Sequence, residues 1–348
     1  CPHVDLVVGA KSIADNPRIV AAARGRRFDH LARTRGAFAA PQAPSVPFGW
    51  SSPVVASLTI MRGCNYSCAY CIVPMVRGRQ SYRSPEAVLA EARAAAAAGA
   101  REILLLGQTV NSWHACTSRG RELRFADLLR EVSAVPGVAR VRFESPHPHF
   151  LDDALIAAMA SVPQSCEHLH LPLQSGCDRL LSLVRRNYTV EGFFEKVERL
   201  RAALPSIEVT TDIIVGLPSE TDDDFARTLE AVRRLRPARA YTFKYSPRAA
   251  TPAASWPDDV PPQVKEDRLE SLNALCDGFN GDALRARLGR TVRVLDETGG
   301  YGRTRDGFRI KWRTPSEPGR EFSVRVTGSS KRTLLGECDE REEDRRRA

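Results

Sequence analysis

Segments typical of β-strands and of α-helices alternate six times between residues 54 and 246, and this alternation restricts the fold more than any other feature. Apolar runs such as VVASLTIM, EILLLGQ and IEVTTDIIVG are each followed by a helical pattern, and the predicted helices start near Pro85, Phe125, Phe150, Asp178, Val190 and Thr221. Repeated strand-helix units pair their strands in parallel through right-handed crossovers. Six units are too few for a closed eight-stranded barrel. We therefore predict an α/β fold, an open (β/α)6 barrel with its catalytic residues at the carboxyl ends of the strands.

The chain divides into five parts by composition and pattern. Residues 1–20 contain one strand-like run, VDLVVG, and residues 21–52 mix Ala, Pro and Gly as a linker does. The α/β part is predicted at residues 53–285. Residues 286–338 alternate in period two between glycine-rich turns, which predicts a small antiparallel β-barrel, and residues 339–348 are predicted to be a disordered tail.

Positive charge is concentrated in the predicted terminal barrel. The net charge is +9, and between Arg285 and Leu335 lysines and arginines outnumber acidic residues by 13 to five. A small basic module indicates binding to a polyanion such as nucleic acid, although a solvated charged face would give the same count. The candidate RNA contacts in this module are Arg309, Lys311, Arg313 and Lys331.

Several classes of protein are disfavoured by the composition. No apolar run approaches the roughly 20 residues that a membrane helix needs. The first residues lack the basic start and apolar core of a secretory leader, and the nine cysteines do not show the spacing of a disulfide framework. The sequence therefore predicts a cytoplasmic protein with no membrane partner.

Three cysteines follow the first predicted strand, in the segment RGCNYSCAYC: Cys64, Cys68 and Cys71. Thiolates are the ligands of iron-sulfur clusters and of structural zinc. Structural zinc takes four protein ligands, and the next Cys or His along the chain is His114. The spacing favours a 4Fe-4S cluster with one open iron, while zinc and a chance group of buried cysteines remain as alternatives.

The C-x3-C-x2-C pattern, with Tyr70 before its last cysteine, resembles the radical S-adenosylmethionine (SAM) superfamily. Together with CIVPMVRGR, LLGQTVNSW, HLPLQSGCDRLL, TTDIIVGLPSETDDDF and FKYSPRAATPAA, in this order, it resembles the methylthiotransferase family, most closely its tRNA-modifying MiaB type. The resemblance implies that Cys64, Cys68 and Cys71 ligate a 4Fe-4S cluster and that SAM occupies the fourth iron. It implies that the basic barrel is an OB-like TRAM domain. The implied reaction adds a methylthio group to C2 of an adenosine, usually isopentenyl-modified, in the tRNA anticodon stem-loop.

The resemblance also implies roles for residues near the strand ends. The SAM-binding residues would be Tyr70, Gly107, Gln108, Asn111, Ser145, Gln174, Ser175, Asp212 and Gly216. The contacts to substrate or RNA would be Arg77, Arg79, His147, Lys244, Ser246 and Arg248. Polar residues at strand ends often serve only the loop backbone, and exposed arginines often form ordinary ion pairs, so both alternatives stay open.

The sequence departs from the family pattern at several places. The family has an N-terminal domain with three cysteines that hold a second, auxiliary 4Fe-4S cluster, and ligands for it are not found here. PHVDLVVG resembles the last strand of that domain, so we expect this chain to be the C-terminal part of such an enzyme. Ser219 and Ala250 replace glycines of the pattern, which strains the backbone if those positions need positive φ.

The expected partners are the tRNA, an electron donor of flavodoxin or ferredoxin type and a sulfur donor system, and the expected oligomeric state is monomeric. Two other functions are compatible with the sequence. One is methylthio transfer to threonylcarbamoyladenosine in tRNA or to an aspartate of a ribosomal protein. The other is RNA binding by a remnant without full activity.

Overall fold

The computed structural model describes residues 54–313 and 316–338. The sequence predictions for residues 1–20, 21–52 and 339–348 lie outside these ranges. Within them, no helix combines the length and the apolar character needed to cross a membrane.

The α/β part contains ten strands and eight α-helices among its described residues. In chain order the strands are β1 (Val55–Thr59), β2 (Met61–Arg62), β3 (Ser81–Tyr82), β4 (Glu102–Leu106), β5 (His114–Cys116), β6 (Glu122–Arg124), β7 (Arg140–Phe143), β8 (His168–His170), β9 (Glu208–Val215) and β10 (Arg239–Lys244). The helices are α1 (Val73–Arg77), α2 (Pro85–Ala97), α3 (Phe125–Ser133), α4 (Asp153–Ser161), α5 (Asp178–Leu183), α6 (Val190–Ala203), α7 (Asp222–Leu235) and α8 (Pro262–Arg285).

Six of these strands form the predicted parallel arrangement. They lie in two three-stranded sheets, ordered β1-β4-β7 and β8-β9-β10, and every neighbouring pair is parallel. A parallel bridge between Val141 and Ser165 continues the arrangement from β7 toward the second sheet. The prediction of an α/β fold with six parallel strands is therefore confirmed.

Local sequence signals explain where several helices begin. Ser84 caps α2 by accepting a hydrogen bond from the Ala87 N–H, and Pro85 follows at the first helical position. Thr221 and Asp224 form a capping box at α7, where each side chain accepts from the other residue's backbone N–H. The helix predicted near Phe150 begins later, at Asp153, because a 3-10 turn comes first.

The main core lies between the parallel sheets and the helices that cover them. Its most enclosed side chains include Ile103, Leu105, Trp113, Phe193 and Phe194, each at most 2% exposed. Full burial of one such apolar side chain contributes about 1.5–3 kcal/mol. This core fixes the strands and thereby the loops at their carboxyl ends.

A closed five-stranded barrel follows α8. Its strands are β11 (Thr291–Asp296), β12 (Tyr301–Thr304), β13 (Arg309–Trp312), β14 (Glu321–Ser329) and β15 (Thr333–Cys338), in the order β11-β12-β13-β15-β14. The sequence predicted β11, β13 and β14 but missed β12 and β15. Val294, Ile310 and Val324 fill the interior. Closure leaves no sheet edge unpaired.

The small barrel packs against the amino ends of the parallel strands. Arg142 of β7 donates hydrogen bonds to the carbonyls of Thr304 and Arg305, at 2.6 and 2.9 Å. Arg305 in turn forms an ion pair with Glu167 just before β8. Arg287 bridges Glu208 and Asp306. Part of the basic charge counted in the sequence therefore holds the molecule together and is not displayed to a polyanion.

Candidate functional site

The loop that carries the three cysteines is held in place by the residues that follow β4. The Gly63 N–H donates to Gln108 Oε1 at 2.6 Å, and Cys64 Sγ lies 3.3 Å from Thr109 Oγ1. Gly63 has φ +75°, and a Cβ there would lie 2.1 Å from the carbonyl oxygen of Arg79. Only glycine fits this position, so the loop conformation is set before any ligand binds.

Arg186 and Tyr188, which the sequence analysis did not select, lie against the cysteine loop. Arg186 Nη1 donates to Cys68 Sγ at 3.5 Å, and its Nε donates to the Tyr188 hydroxyl at 3.1 Å. Tyr188 donates onward to the carbonyls of Pro172 and Leu173. Burial alone would lower the pKa of Arg186, but the charges of Tyr188, Tyr70 and Cys68 raise it. A guanidinium cation is therefore fixed beside one of the thiols.

His147 is buried against the cysteine loop, and its contact with substrate stays a prediction. It is 5% exposed, and its ring stacks on Tyr66 at 4.1 Å between centroids. Burial, assisted by Arg186, lowers the pKa of His147 to about 2, so the ring is neutral. Its backbone exchanges two hydrogen bonds with the Asn111 side chain. These contacts support Tyr66, which lies between Cys64 and Cys68 in the loop.

A cavity of about 400 Å³ opens beside the last cysteine. Its lining combines residues that the sequence analysis assigned to SAM with others that it assigned to RNA: Tyr70, Gln174 and Asp212 from the first set, and Lys244, Ser246 and Arg248 from the second. Cys71, Ile72, Val73, Ile214, Phe243 and Tyr245 complete the lining. Apolar side chains and a few polar and charged ones line it together, as in most sites for small organic ligands.

Two residues after strand ends have strained backbones at this face. Ser145, after β7, has φ +61°, and Gln174, after β8, has φ +70°. Gln174 is held in the sheet because its N–H donates to Asp212 O and its carbonyl accepts from the Ile214 N–H. Left-handed φ in non-glycine residues is uncommon and is concentrated at functional sites.

Other residues that were predicted to bind SAM fit the geometry less well. Ser175 is fully buried, and its hydroxyl lies 3.4 Å from Thr228 Oγ1 of α7, so this hydroxyl is engaged within the protein and the contact of Ser175 with SAM stays a prediction. The Asn111 amide is used by the His147 backbone, which gives it a structural role. A Cβ at Gly107 would lie 2.4 Å from Met61, and one at Gly216 would lie 2.4 Å from Lys265. Close packing within the protein therefore accounts for both glycines.

The residues assigned to RNA are mostly exposed, and some are ion-paired. Arg77 and Arg79 lie on the surface beside the cysteine loop. Lys244 pairs with Glu266, and Lys331 lies 3.5 Å from Asp277. The cations of the barrel with outward-facing side chains on or just after β13 are Arg309, Lys311 and Arg313, which form no ion pair within residues 54–313 and 316–338.

The three thiols fit a cluster better than a single metal ion. Among the described residues, no three His, Cys, Asp or Glu side chains are grouped closely enough to hold one ion. A 4Fe-4S cluster distributes its thiolate ligands over separate irons, so they need not converge on one point. Burial raises the pKa of the Cys71 thiol, so ligation must displace a proton. The Arg186 cation compensates thiolate charge at Cys68.

Comparison with known proteins agrees with this donor set. Residues 58–232 match the family model of the radical SAM superfamily. A tRNA-2-methylthio-N(6)-dimethylallyladenosine synthase of Mycolicibacterium paratuberculosis is 40% identical over 97% of this chain and 68% of its own length. The chain belongs to the radical SAM methylthiotransferase family. The same kind of synthase from Acidothermus cellulolyticus is 39% identical over 97% of this chain and 69% of its own length.

Membership of this radical SAM family makes a 4Fe-4S cluster and SAM the cofactors of the site. A solved structure agrees with the fold: coproporphyrinogen III oxidase of Escherichia coli, described as a radical SAM enzyme, aligns with a TM-score of 0.50. That alignment covers 79% of this chain and 67% of the other at 17% identity, so it supports the fold alone. Cys64, Cys68 and Cys71 are the residues that fit the cluster.

Proposed function

We propose that this protein is a tRNA methylthiotransferase that acts on C2 of an N6-dimethylallyladenosine beside the anticodon. The observation that carries the proposal is 40% identity to synthases of that name along nearly the whole chain. The three cysteines, placed beside a cavity at the carboxyl ends of the strands, supply the site that this reaction requires.

We assign some residues of the cavity to SAM and others to the base of the RNA. A cluster held by Cys64, Cys68 and Cys71 would supply the electron for reductive cleavage of SAM, and so the radical chemistry that the C2–H bond requires. We assign Gln174 and Asp212 to the polar groups of SAM, and Tyr70 to its adenine. Phe243, whose side chain is 51% exposed at the cavity, is suited to stack against an extruded base. Extrusion costs least for a base in an unpaired loop.

We propose two basic surfaces for RNA. One surrounds the cavity and contains Arg77, Arg79 and Arg248; the other is the outward face of the barrel at Arg309, Lys311 and Arg313. The barrel is accordingly assigned as the TRAM domain. Phosphate contacts release counterions, so binding should weaken steeply as salt is raised.

The remaining expectations are part of the same proposal. The reaction needs an external electron donor of flavodoxin or ferredoxin type, a sulfur donor system and an auxiliary 4Fe-4S cluster. The protein is proposed to work in the cytoplasm as a monomer. None of these expectations depends on the geometry of the cavity.

The test follows the hydrogen atom at C2. The chain is reconstituted anaerobically with iron and sulfide and mixed with SAM, reductant and an anticodon stem-loop deuterated at C2 of its dimethylallyladenosine. We expect deuterium in the 5′-deoxyadenosine, measured by mass spectrometry. This readout reports attack at C2 without requiring sulfur transfer.

Matched variants and substrates make the result decisive. Cys64→Ala should abolish SAM cleavage, whereas Cys116→Ala, at an exposed cysteine outside the loop, should not. SAM cleavage without deuterium transfer would reject the proposed substrate. Transfer from a threonylcarbamoyladenosine stem-loop in its place would identify the alternative tRNA substrate, and stem-loop binding without any SAM cleavage would favour the RNA-binding remnant.

A further inference from the structure

Arg186 differs from the more enclosed arginines of the molecule in what neutralises it. The arginines with side chains at most 10% exposed each form an ion pair with a carboxylate: Arg83 with Glu91, Arg140 with Glu321, Arg142 with Glu102, Arg268 with Glu220 and Arg287 with Glu208. Arg186 has no carboxylate partner in the part of the chain that the structure describes. Its contacts are a phenol and a thiol.

The position of Arg186 is well defined despite the missing carboxylate. Its guanidinium carbon lies 5.0 Å from the centroid of the Tyr188 ring, and its Nε donates to the hydroxyl of the same residue. Tyr188 is itself anchored by the carbonyls of Pro172 and Leu173. A long side chain that is held at both nitrogen edges loses its rotamer freedom, so the charge is preorganised beside Cys68.

A partly buried guanidinium without a counter-ion is unfavourable, because desolvation is not offset by attraction. The nearest group that becomes an anion is the Cys68 thiolate, 3.5 Å from Nη1. A 4Fe-4S cluster with three thiolate ligands carries net negative charge, and accepting one electron makes it more negative. A fixed cation at this distance favours the reduced form and raises the reduction potential.

We propose that Arg186 is the counter-charge of the cluster, and that it is a positioning residue that raises the reduction potential through Cys68. Tyr188 orients it. The inference rests on the cluster that family membership implies and does not depend on the identity of the RNA substrate. Failure of the stem-loop assay would therefore leave it intact.

The test measures the midpoint potential of the reconstituted cluster by electron paramagnetic resonance during a redox titration, without SAM or RNA. At a fixed applied potential, we expect the ratio of reduced to oxidised cluster to be about tenfold lower in Arg186→Gln. This corresponds to a midpoint potential lower by about 59 mV for a one-electron couple. Arg186→Lys keeps the charge and should show a smaller fall. Arg185→Gln, an identical charge change at the exposed neighbouring residue, should leave the ratio unchanged.

Equal potentials for the Arg186→Gln and Arg185→Gln proteins would overturn the proposal. Iron and sulfide content is measured first, because loss of the guanidinium contact could prevent cluster assembly. Should Arg186→Gln fail to assemble the cluster, Tyr188→Phe decides the question. It keeps the cation but removes the hydroxyl that orients it, so the proposal requires a lower potential in this variant, and an unchanged one would reject it.

Discussion

The two ends of the same six parallel strands neutralise their buried charge in different ways. At the amino ends, Arg142 pairs with Glu102 at 3.0 Å and also donates to carbonyls of the small barrel. At the carboxyl ends, Arg186 donates to the Tyr188 hydroxyl and to the Cys68 thiol, and it has no carboxylate partner among the described residues. The amino ends are a structural joint whose charges are satisfied within the protein. The carboxyl ends carry the Arg186 cation, the positive-φ residues Ser145 and Gln174, and the cavity beside Cys71.

This difference separates residues that maintain the fold from residues that serve the chemistry. A buried ion pair whose two partners come from the protein contributes nothing to ligand binding, but removal of one partner leaves the other as an unpaired buried charge. A cation beside thiols that ligate a cluster acts on the bound cluster, and its removal leaves no partner carboxylate unpaired. Variants at the amino ends should change stability and leave the cluster intact, and variants at the carboxyl ends should do the reverse.

The largest effect is expected from Gly63→Ala in the cysteine loop. A Cβ there would lie 2.1 Å from the backbone oxygen of Arg79, so the loop must move. We expect the variant to lose most of its iron after reconstitution while keeping its circular dichroism spectrum. The matched control is Gly99→Ala, which has φ +102° but no atom within 4 Å of the added Cβ.

Both glycine variants have the backbone strain of positive φ, about 1–2 kcal/mol, but only one blocks the loop. Gly99→Ala should therefore lower stability by that amount and retain iron. Full iron binding by Gly63→Ala would show that the loop is not set in advance and would weaken the contrast between the two ends.

The next largest effect is expected at the amino ends, from Arg142→Met. The substitution leaves Glu102, which is 2% exposed, without its cation and removes the contacts to Thr304 and Arg305. Loss of one partner from a buried pair costs about 3–5 kcal/mol in the free energy of unfolding. Urea unfolding of the chain measures it.

The same protein should still assemble a cluster, because the contacts of Arg142 are with Glu102 and the small barrel and not with the cysteine loop. Arg309→Met, at an exposed residue of the small barrel, is the control and should change stability by no more than about 0.5 kcal/mol. A collapse of iron binding in Arg142→Met at temperatures where the chain is folded would contradict the separation of the two ends.

The fold was predictable from the sequence because its signals are local. Apolar runs and helix patterns identified all six parallel strands, and the capping box of Thr221 and Asp224 marks the start of α7 within four residues of sequence. Strands β12 and β15 were missed because GRT and LLGEC interrupt the alternation of apolar residues with glycine and charge. Their pairing depends on closure of the barrel.

The candidate site was only partly predictable. The three cysteines are close in sequence, and their spacing carries the information. Arg186 contacts Cys68 across 118 residues, so no local pattern reports that contact. Ser175 follows a strand as predicted, but its hydroxyl turns toward Thr228 of α7. Side-chain direction at a strand end depends on tertiary packing, which sequence spacing does not encode.

A smaller effect on stability is expected when the pH is lowered, at the junction between the α/β part and the small barrel. Burial, with nearby Arg142 and His170, lowers the pKa of His168 to about 3. The unfolded chain binds a proton near pH 6.5 and the folded chain does not, so stability falls as the pH drops from about 6.5 toward 3. The contribution is roughly 1.4 kcal/mol per pH unit.

Replacing His168 with Asn removes this titration and should reduce the slope of the unfolding free energy against pH by about 1.4 kcal/mol per pH unit between 6.5 and 5. The slope that remains includes the similar contribution of His147, whose pKa is lowered to about 2. His149→Asn, at an exposed histidine, leaves His168 in place and is the control. If the parent and His168→Asn lose stability in parallel over this range, another group at the junction takes up the proton.

The smallest effect is expected from Ala250→Gly, in the loop after β10. Ala250 and Ser219 stand where the family pattern has glycines, and both residues have positive φ, +70° and +64°. Left-handed backbone costs a non-glycine residue about 1–2 kcal/mol, and glycine's greater freedom in the unfolded chain returns about 0.5–1. Ala250→Gly should therefore raise the free energy of unfolding by about 0.5–1 kcal/mol, measured in urea.

Ala94→Gly, at an exposed position inside α2, should lower it by about 1 kcal/mol. Opposite signs for the same chemical change would show that the loop at the carboxyl ends stores strain, whereas two losses of equal size would place Ala250 in an ordinary, relaxed turn.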